Sequence, residues 1–463
     1  MNNNNENSNI NIITGDPKKA IKKLAWPIMV SMFLLTAYNL ADSIWVAGLG
    51  PNALAALGFI TPLFMVVVGL GSGLGAGANS LIARSIGSKK KHIADNTGVH
   101  AIIFTLIISI LAPIILLPFL KDILLLMGAG DATQAGLDYG YIVFGFLIVI
   151  LFSSVASAIL RSEGDVKRAM YAMAITAVLN IIIDPIFIYT FNMGMAGAAI
   201  ATVLSAAISC IVMVYWIWIK KDTYLSLGLS SFKYDTFIVK NILKVAIPST
   251  AENFVLSILG LIMNGMLVIA GGTVAVAVYT AGMRILQLFM IPLIGLGTAI
   301  LTVVGAAYGS HNYEKLELGF NYTIKLGFII SGILSIIMFV FAPQIALVFT
   351  YTSSSANLTP QITEVLRFLC FFLLVLPMGI VSSMAFQGVG KGFTSLVITI
   401  FRSLVFEAIF AYIFGIVLGW GVVGMYLGVV VGCAFGAVIG LIWAKLFIRS
   451  YKKDMIIKFG NKN

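Results

Sequence analysis

Apolar residues along this chain collect into twelve long runs, at 24–47, 55–82, 97–120, 139–160, 168–190, 196–219, 243–270, 275–303, 321–349, 365–387, 394–417 and 421–447. Each is close to or above the roughly 20 residues needed to cross the hydrocarbon core of a bilayer. Polar links separate them. Some are very short, such as Gly271-Gly272-Thr273 and Leu418-Gly419-Trp420, and require tight turns between antiparallel neighbours. The pattern predicts an all-α polytopic membrane protein of twelve transmembrane helices. The polar, Asn-rich start, 1–15, reads as a disordered tail. The first apolar run is too long for the core of a signal peptide and has no cleavage site after it.

The pattern repeats. Pro27 opens the first run, and Gly87 in Ile86-Gly87-Ser88 follows the second, 60 residues later. Pro248 opens the seventh, and Gly309 in Tyr308-Gly309-Ser310 follows the eighth, 61 residues later. Gly194-Met195-Ala196-Gly197 precedes run six, and Gly421-Val422-Val423-Gly424 precedes run twelve, 227 residues further on. An even number of spans separates equivalents, so the repeats are parallel. Two six-helix bundles about an axis along the membrane normal is a plan used by transporters. The expected division is an N-lobe over 16–219, a linker over 220–242, a C-lobe over 243–449 and a basic tail over 450–463. The glycines at 69, 71, 73, 75 and 77 in the second run are expected to let neighbouring helices approach closely.

Composition agrees. Of 463 residues, 60% are hydrophobic and 10% charged, too little charge to cover a soluble surface of this size. The net charge is +11, and its placement tests the count. With the N-terminus inside, 25 of the 29 basic residues fall in inside segments; Lys121 and Arg367 fall outside, and Arg284 and Arg402 within spans. This is the positive-inside bias, with both termini in the cytoplasm. The basic charge is therefore a topology signal, and no nucleic-acid partner is expected. Cys210, Cys370 and Cys433 lie apart inside apolar runs and read as packing residues.

Four acidic residues lie well inside spans: Asp42, Asp184, Glu252 and Glu407. A charge at membrane depth costs at least ~2.5–3.5 kcal/mol, which makes each a functional candidate. Asn180 and Asp184 are four apart, on one helical face. Pro185 removes a donor, so a carbonyl one turn earlier is free to face an ion. With Asp42, Tyr139 at the outer start of span four and Thr202 in span six, they are expected to form one polar cluster in the N-terminal half. Two nearby carboxylates in low dielectric tend to hold a proton or cation between them. Glu252 reads equally as a cavity group or as a partner of Lys244. Glu407 reads as an ion pair with Arg402 or Arg284.

Nothing points to an enzyme. There is no GxGxxG after a strand, no phosphate-binding P-loop and no Cys/His ligand set. No cofactor is expected. Without a nucleotide-binding domain, energy is expected from an ion gradient.

The runs Gly15-Asp16-Pro17-Lys18-Lys19, Ala25-Trp26-Pro27, Tyr38-Asn39-Leu40-Ala41-Asp42 and Gly48-Leu49-Gly50, with Asn180-xxx-Asp184-Pro185, resemble the multidrug and toxic compound extrusion (MATE) family. The match runs over essentially the whole chain and is nearest the DinF-like prokaryotic branch, notably its archaeal members. The resemblance implies an antiporter of the plasma membrane, monomeric, that exports organic cations and amphipathic drugs in exchange for H⁺ or Na⁺. Carried over by position, Asp42 and Asp184 are the ion-binding acids, with Asn180, Tyr139 and Thr202 as partners, and Na⁺ would sit at Asp42, Asp184 and Asn180. Pro27 matches the proline at which the first helix is proposed to bend, and Pro185 is a second hinge candidate. Tyr38, Met32, Met65 and Met173 are candidates for an adaptable cavity wall, although ordinary packing or lipid contact is the better reading of each. The NorM-like branch carries an acid deeper in span seven than Glu252, where this chain has Gly260 and Leu261, so a C-lobe cation site of that kind is not expected. The alternative within the related superfamily is a lipid-linked oligosaccharide flippase, which would need a large cationic cavity; a membrane-bound polysaccharide enzyme would need catalytic acids or His on one face.

Overall fold

The computed structural model describes residues 3–228, 232–347 and 356–459, and every regular element among them is a helix. Ten helices are long and apolar enough to cross a bilayer, and the bent pair Gly130–Gly145 and Leu147–Ser162, meeting at 52°, makes eleven. The element Thr236–Gly309 has 74 residues, about 110 Å of helix against a core of about 30 Å. It is two helices, because Gly272 leaves helical space at φ 70°, ψ −168°. Twelve spans result. The two short links behave as the sequence requires: Gly272, Gly419 and Gly421 all take positive φ, which costs glycine little.

Three segments differ from the expectation. The tail read as disordered over 1–15 is helical from Asn3 to Thr14. Ile13 gives this Asn-rich segment something to bury, at 3% exposed, and the helix lies against Gly164, where an added Cβ would stand 2.7 Å from the Asn9 carbonyl oxygen. Span four, expected as one run over 139–160, starts at Gly130 and bends after Gly145. Span nine, expected to reach 349, ends at Val340, and the short helix Ala342–Leu347 follows; 348 and 349 lie outside the described residues, as do 1–2 of the tail, 229–231 of the linker and 460–463 of the carboxyl tail.

The chain forms two compact units: Met1–Gly15 with Trp26–Thr250, and Asp16–Ala25 with Ala251–Asn463. These bounds depart from a division at 16, 220, 243 and 450, for reasons that lie in the packing. In the first unit, bare Gly73 and Gly77 of span two admit Thr250, Ala246 and the Ile242 backbone of span seven, and the Thr250 hydroxyl donates to the Gly69 carbonyl at 3.1 Å. The start of span seven thus belongs with the N-terminal half. In the second unit, Pro17 and Ile21 lie over Gly319, and Lys18 and Lys22 each stand 6.0 Å from the Tyr322 ring. The last helix continues from Gly421 to Phe459 through the start of the basic tail.

The repeat seen in sequence reappears in hydrogen bonds. The Met193 N–H donates to the Phe187 carbonyl at 3.1 Å, and the Trp420 N–H donates to Phe414 at 3.2 Å. Gly197 donates to Met193 and Gly424 to Trp420, both at 3.3 Å. A π-helical turn precedes each, Ile186–Thr190 and Ile413–Val417. Each position in one turn has its counterpart 227 positions later in the other, and both turns open on Ile-Phe.

Candidate functional site

The N-terminal polar cluster assembles on spans one, four, five and six. Span five begins at Val166 with Asp165 as its cap, accepting from the Arg168 N–H at 3.3 Å. It runs as α-helix to Pro185 and then widens into the π-turn Ile186–Thr190. Proline cannot supply the i→i−4 donor, and a π-bulge is a common answer near functional sites. The turn presents Tyr189, whose hydroxyl donates to the Trp45 carbonyl near the end of span one. The two rings meet edge-on at 6.5 Å.

Asn180 and Asp184 are both 0% exposed. The Asn180 amide donates to Asp184 Oδ1 at 3.1 Å and to Thr202 Oγ1 at 3.4 Å. Tyr139, also buried, stands beside Thr202 and the two carboxyls. The carboxyl of Asp42, itself buried, lies close enough to Asp184 for the two to interact directly. All five expected residues therefore meet in one place. Tyr38, expected as cavity wall, is buried beside the two carboxyls. Met32 and Met173 are half-buried and Met65 is exposed. Pro27 is buried inside a first helix that runs unbroken from Pro17 to Ala47.

Two buried carboxylates side by side repel unless a proton or cation lies between them. Three buried oxygens in the cluster, Asp42 Oδ1, Asn180 Oδ1 and Asp184 Oδ2, receive no hydrogen bond. Buried acceptors are normally satisfied, and carboxylate, amide and hydroxyl oxygens are the donor set a hard cation takes. The residues thus suit either a shared proton or a small cation.

The second unit holds a different cluster. Glu252 accepts from the Ser395 hydroxyl at 2.6 Å and from the Gln387 amide at 3.2 and 3.3 Å. Spans ten and eleven supply its partners, and not Lys244. Glu407 is buried beside Ser403 and Cys433. Arg402 acts on both glutamates electrostatically, yet among the described residues no ion pair joins it to Glu407 within 4.0 Å.

Outside the spans, sequence reasoning missed how the linker is held. Its Leu225 N–H donates to Glu163 at 3.0 Å and its Ser226 N–H to Asp95 at 2.9 Å. Asn96 brackets the Lys233 backbone at 2.8 and 3.2 Å, and Arg168 pairs with Asp222 at 2.6 Å. Glu163 is 2% exposed, and burial pushes its carboxyl up to about 8. Burial also raises Asp165. An acid in Ser162-Glu163-Gly164-Asp165 reads in sequence as an ordinary solvated loop.

A model of the MatE family matches residues 27–186 and 248–413. The two matched segments open on Pro27 and Pro248 and close at positions 227 apart, so the family unit occurs twice. The chain is 28% identical over 399 residues, 82% of each chain, to a probable multidrug resistance protein NorM of Thermotoga maritima. It is 24% identical over 392 residues, 84% of this chain and 85% of the relative, to a multidrug export protein MepA of Staphylococcus saprophyticus. A solved structure of a multidrug resistance MATE family transporter of the MOP superfamily, in an outward-facing conformation, is 42% identical, covers 96% of this chain and 98% of its own, and superposes with a TM-score of 0.93.

Proposed function

The chain belongs to the MatE family, and on that footing we propose that it is a secondary active multidrug efflux antiporter, exporting organic cations and amphipathic drugs in exchange for H⁺ or Na⁺. The observation that carries the coupling site is the Asp42–Asp184 pair, with Asn180 bridging Asp184 to Thr202. Either ion neutralises the pair. With the site empty of ion, repulsion drives Asp42 and span one away from span five; with the ion bound, span one is drawn in. Because Tyr38 lies one turn before Asp42 on the same helix, this movement reaches the side chains proposed to meet the drug, Tyr38 and Met32 on span one with Met65 and Met173 nearby in the chain's first half. Alternating exposure of the site then carries ion one way and drug the other.

The relatives named for multidrug resistance and export support the substrate class. The positive-inside count supports cytoplasmic termini in the plasma membrane, and a monomer suffices because each lobe is present in one chain. Transport of a fluorescent organic cation in proteoliposomes, under H⁺ and Na⁺ gradients imposed separately, tests the reading. One gradient is expected to drive uphill export. Export indifferent to both gradients, or Asp42→Asn and Asp184→Asn proteins working at the wild-type rate, overturns it.

A further inference from the structure

On span five, Arg168, Ala172, Thr176, Asn180 and Asp184 follow one another at four-residue steps. Such steps form the i±4 ridge along which a neighbouring helix packs. From Arg168 to Asp184 the ridge is about 24 Å long. Its far end is the acid pair. Its near end is charged and lies in the first turn of the span, with Arg168 bound to Asp165 at 3.3 Å and Asp222 at 2.6 Å.

Span six faces this ridge with hydroxyls at Thr202, Ser205 and Ser209, which share one helical face to within about 60°. Contacts fix both ends of the register. Thr202 accepts from Asn180 at 3.4 Å. Ser209 donates to the Ala172 carbonyl at 2.8 Å, where the Thr176 hydroxyl also donates, at 3.2 Å. Ser205 lies between these anchors.

Ser205 is 0% exposed, and its hydroxyl has no partner. Hydroxyls in spans normally return a bond to the carbonyl one turn back, as Thr36, Thr97, Thr105 and Thr298 do here. A buried hydroxyl left unbonded is unfavourable. Among the described residues only Ser382, in the other unit, shares this condition. Close packing alone explains small residues between helices, but not a buried hydroxyl left unbonded in line with two bonded ones.

From this geometry we infer that the seam between spans five and six is the route by which the coupling ion passes between the acid pair and the Arg168 end of the unit, with Ser205 as the station next to Thr202. The inference rests on the acid pair being the coupling site. A hydroxyl both donates and accepts, so the same station relays a proton through water or ligates a small monovalent cation.

The test compares Ser205→Ala, Ser205→Val, Ser205→Thr and Asp184→Asn in proteoliposomes under the driving gradient. It reads the maximal export rate of a fluorescent organic cation, the ion concentration giving half that rate, and the melting temperature in detergent. Ser205→Val is expected to lower the maximal rate at least tenfold with the half-saturating ion concentration unchanged. Ser205→Ala, which removes only the oxygen, is expected to lower it three- to tenfold and serves if the valine protein does not insert. Ser205→Thr is expected to restore the rate to within twofold, which a purely structural role would not produce. If Ser205→Ala and Ser205→Val export at the wild-type rate while Asp184→Asn does not, the route is wrong and the acid site stands. A loss that threonine fails to restore also overturns it. If Asp184→Asn exports at full rate, the coupling-site reading falls and takes the route with it.

Discussion

Asn180 and Asp184, one helical turn apart on span five, are joined by an amide-to-carboxyl hydrogen bond of 3.1 Å at a point where both side chains are fully buried. The same amide reaches Thr202 on the next span. The bond turns the amide nitrogen toward the acid and leaves the amide oxygen and one acid oxygen unbonded, so the donor arrangement of the site is set before any ion arrives.

Asn180→Ala removes that donor and one candidate ligand together. Losing a ligand oxygen weakens cation binding by about 1–3 kcal/mol, so where Na⁺ is the coupling ion its half-saturating concentration is expected to rise about 5- to 150-fold. Asn180→Asp keeps the oxygens but adds a third carboxyl, and is expected to move the pH at which export is half-maximal. Transport titrated against ion and pH checks both. An Asn180→Ala protein with wild-type ion dependence would remove Asn180 from the site.

The matched turns give a prediction about stability. An added Cβ at Gly197 would stand 2.7 Å from the carbonyl carbon and oxygen of Phe187, and at Gly424 2.5 Å from the carbonyl oxygen of Phe414. Backbone cannot swing aside as a side chain does. Gly197→Ala and Gly424→Ala are each expected to lower stability by roughly 1–3 kcal/mol, read as a lower melting temperature in detergent. Gly332 in span nine is the control, since a Cβ there meets nothing within 4 Å. Gly332→Ala is expected to be neutral or slightly stabilising through helix propensity. Equal effects at all three positions would show that the close approaches do not matter.

The aspartates separate a coupling role from a packing role. Asp42→Asn and Asp184→Asn retain shape and remove the charge that a proton or Na⁺ would neutralise. Each is expected to reduce gradient-driven export at least tenfold while binding of the organic cation, followed by its fluorescence, changes less than threefold. Loss of binding in parallel with transport would assign the pair to the drug site instead.

The spans, their number and the Asn180–Asp184 face were legible because each rests on a local rule: apolar length and an i, i+4 spacing; Tyr139 and Thr202 came only by position from the family resemblance. What stayed hidden depended on long-range packing. Glu252 chooses Ser395 and Gln387, 143 and 135 residues away, over the nearby Lys244, and an apolar run does not say which of its faces meets which neighbour. The helix Asn3–Thr14 has no strong apolar period of its own and is placed by the buried Ile13, against Gly164. The assignment of Asp16–Ala25 to the second unit follows from a glycine and an aromatic ring some 300 positions away, Gly319 and Tyr322.

Glu163 makes the linker's attachment depend on pH, and the sign follows from its surroundings. Burial favours the neutral acid, raising the carboxyl from its ordinary value of 4.5 to about 8, and the Leu225 N–H offsets this only in part. The folded state therefore holds the proton more tightly than the unfolded chain. Its contribution to stability is complete below about pH 4.5 and is lost as pH rises through about 8. Asp165, also raised by burial, acts in the same direction. Asp222, lowered by Lys220 and Arg168 against the effect of burial, acts oppositely, but its contribution disappears only in acid, below the ordinary aspartate range. Between pH 5.5 and 8 the Glu163 effect governs. Opening of the Leu225 amide, measured by hydrogen exchange and corrected for the intrinsic rate, is expected to increase at least tenfold over that interval. Glu163→Gln keeps an acceptor for Leu225 and cannot titrate, so its opening is expected to stay flat. A wild-type protein as flat as the variant would show that the buried acid does not set the linker's hold.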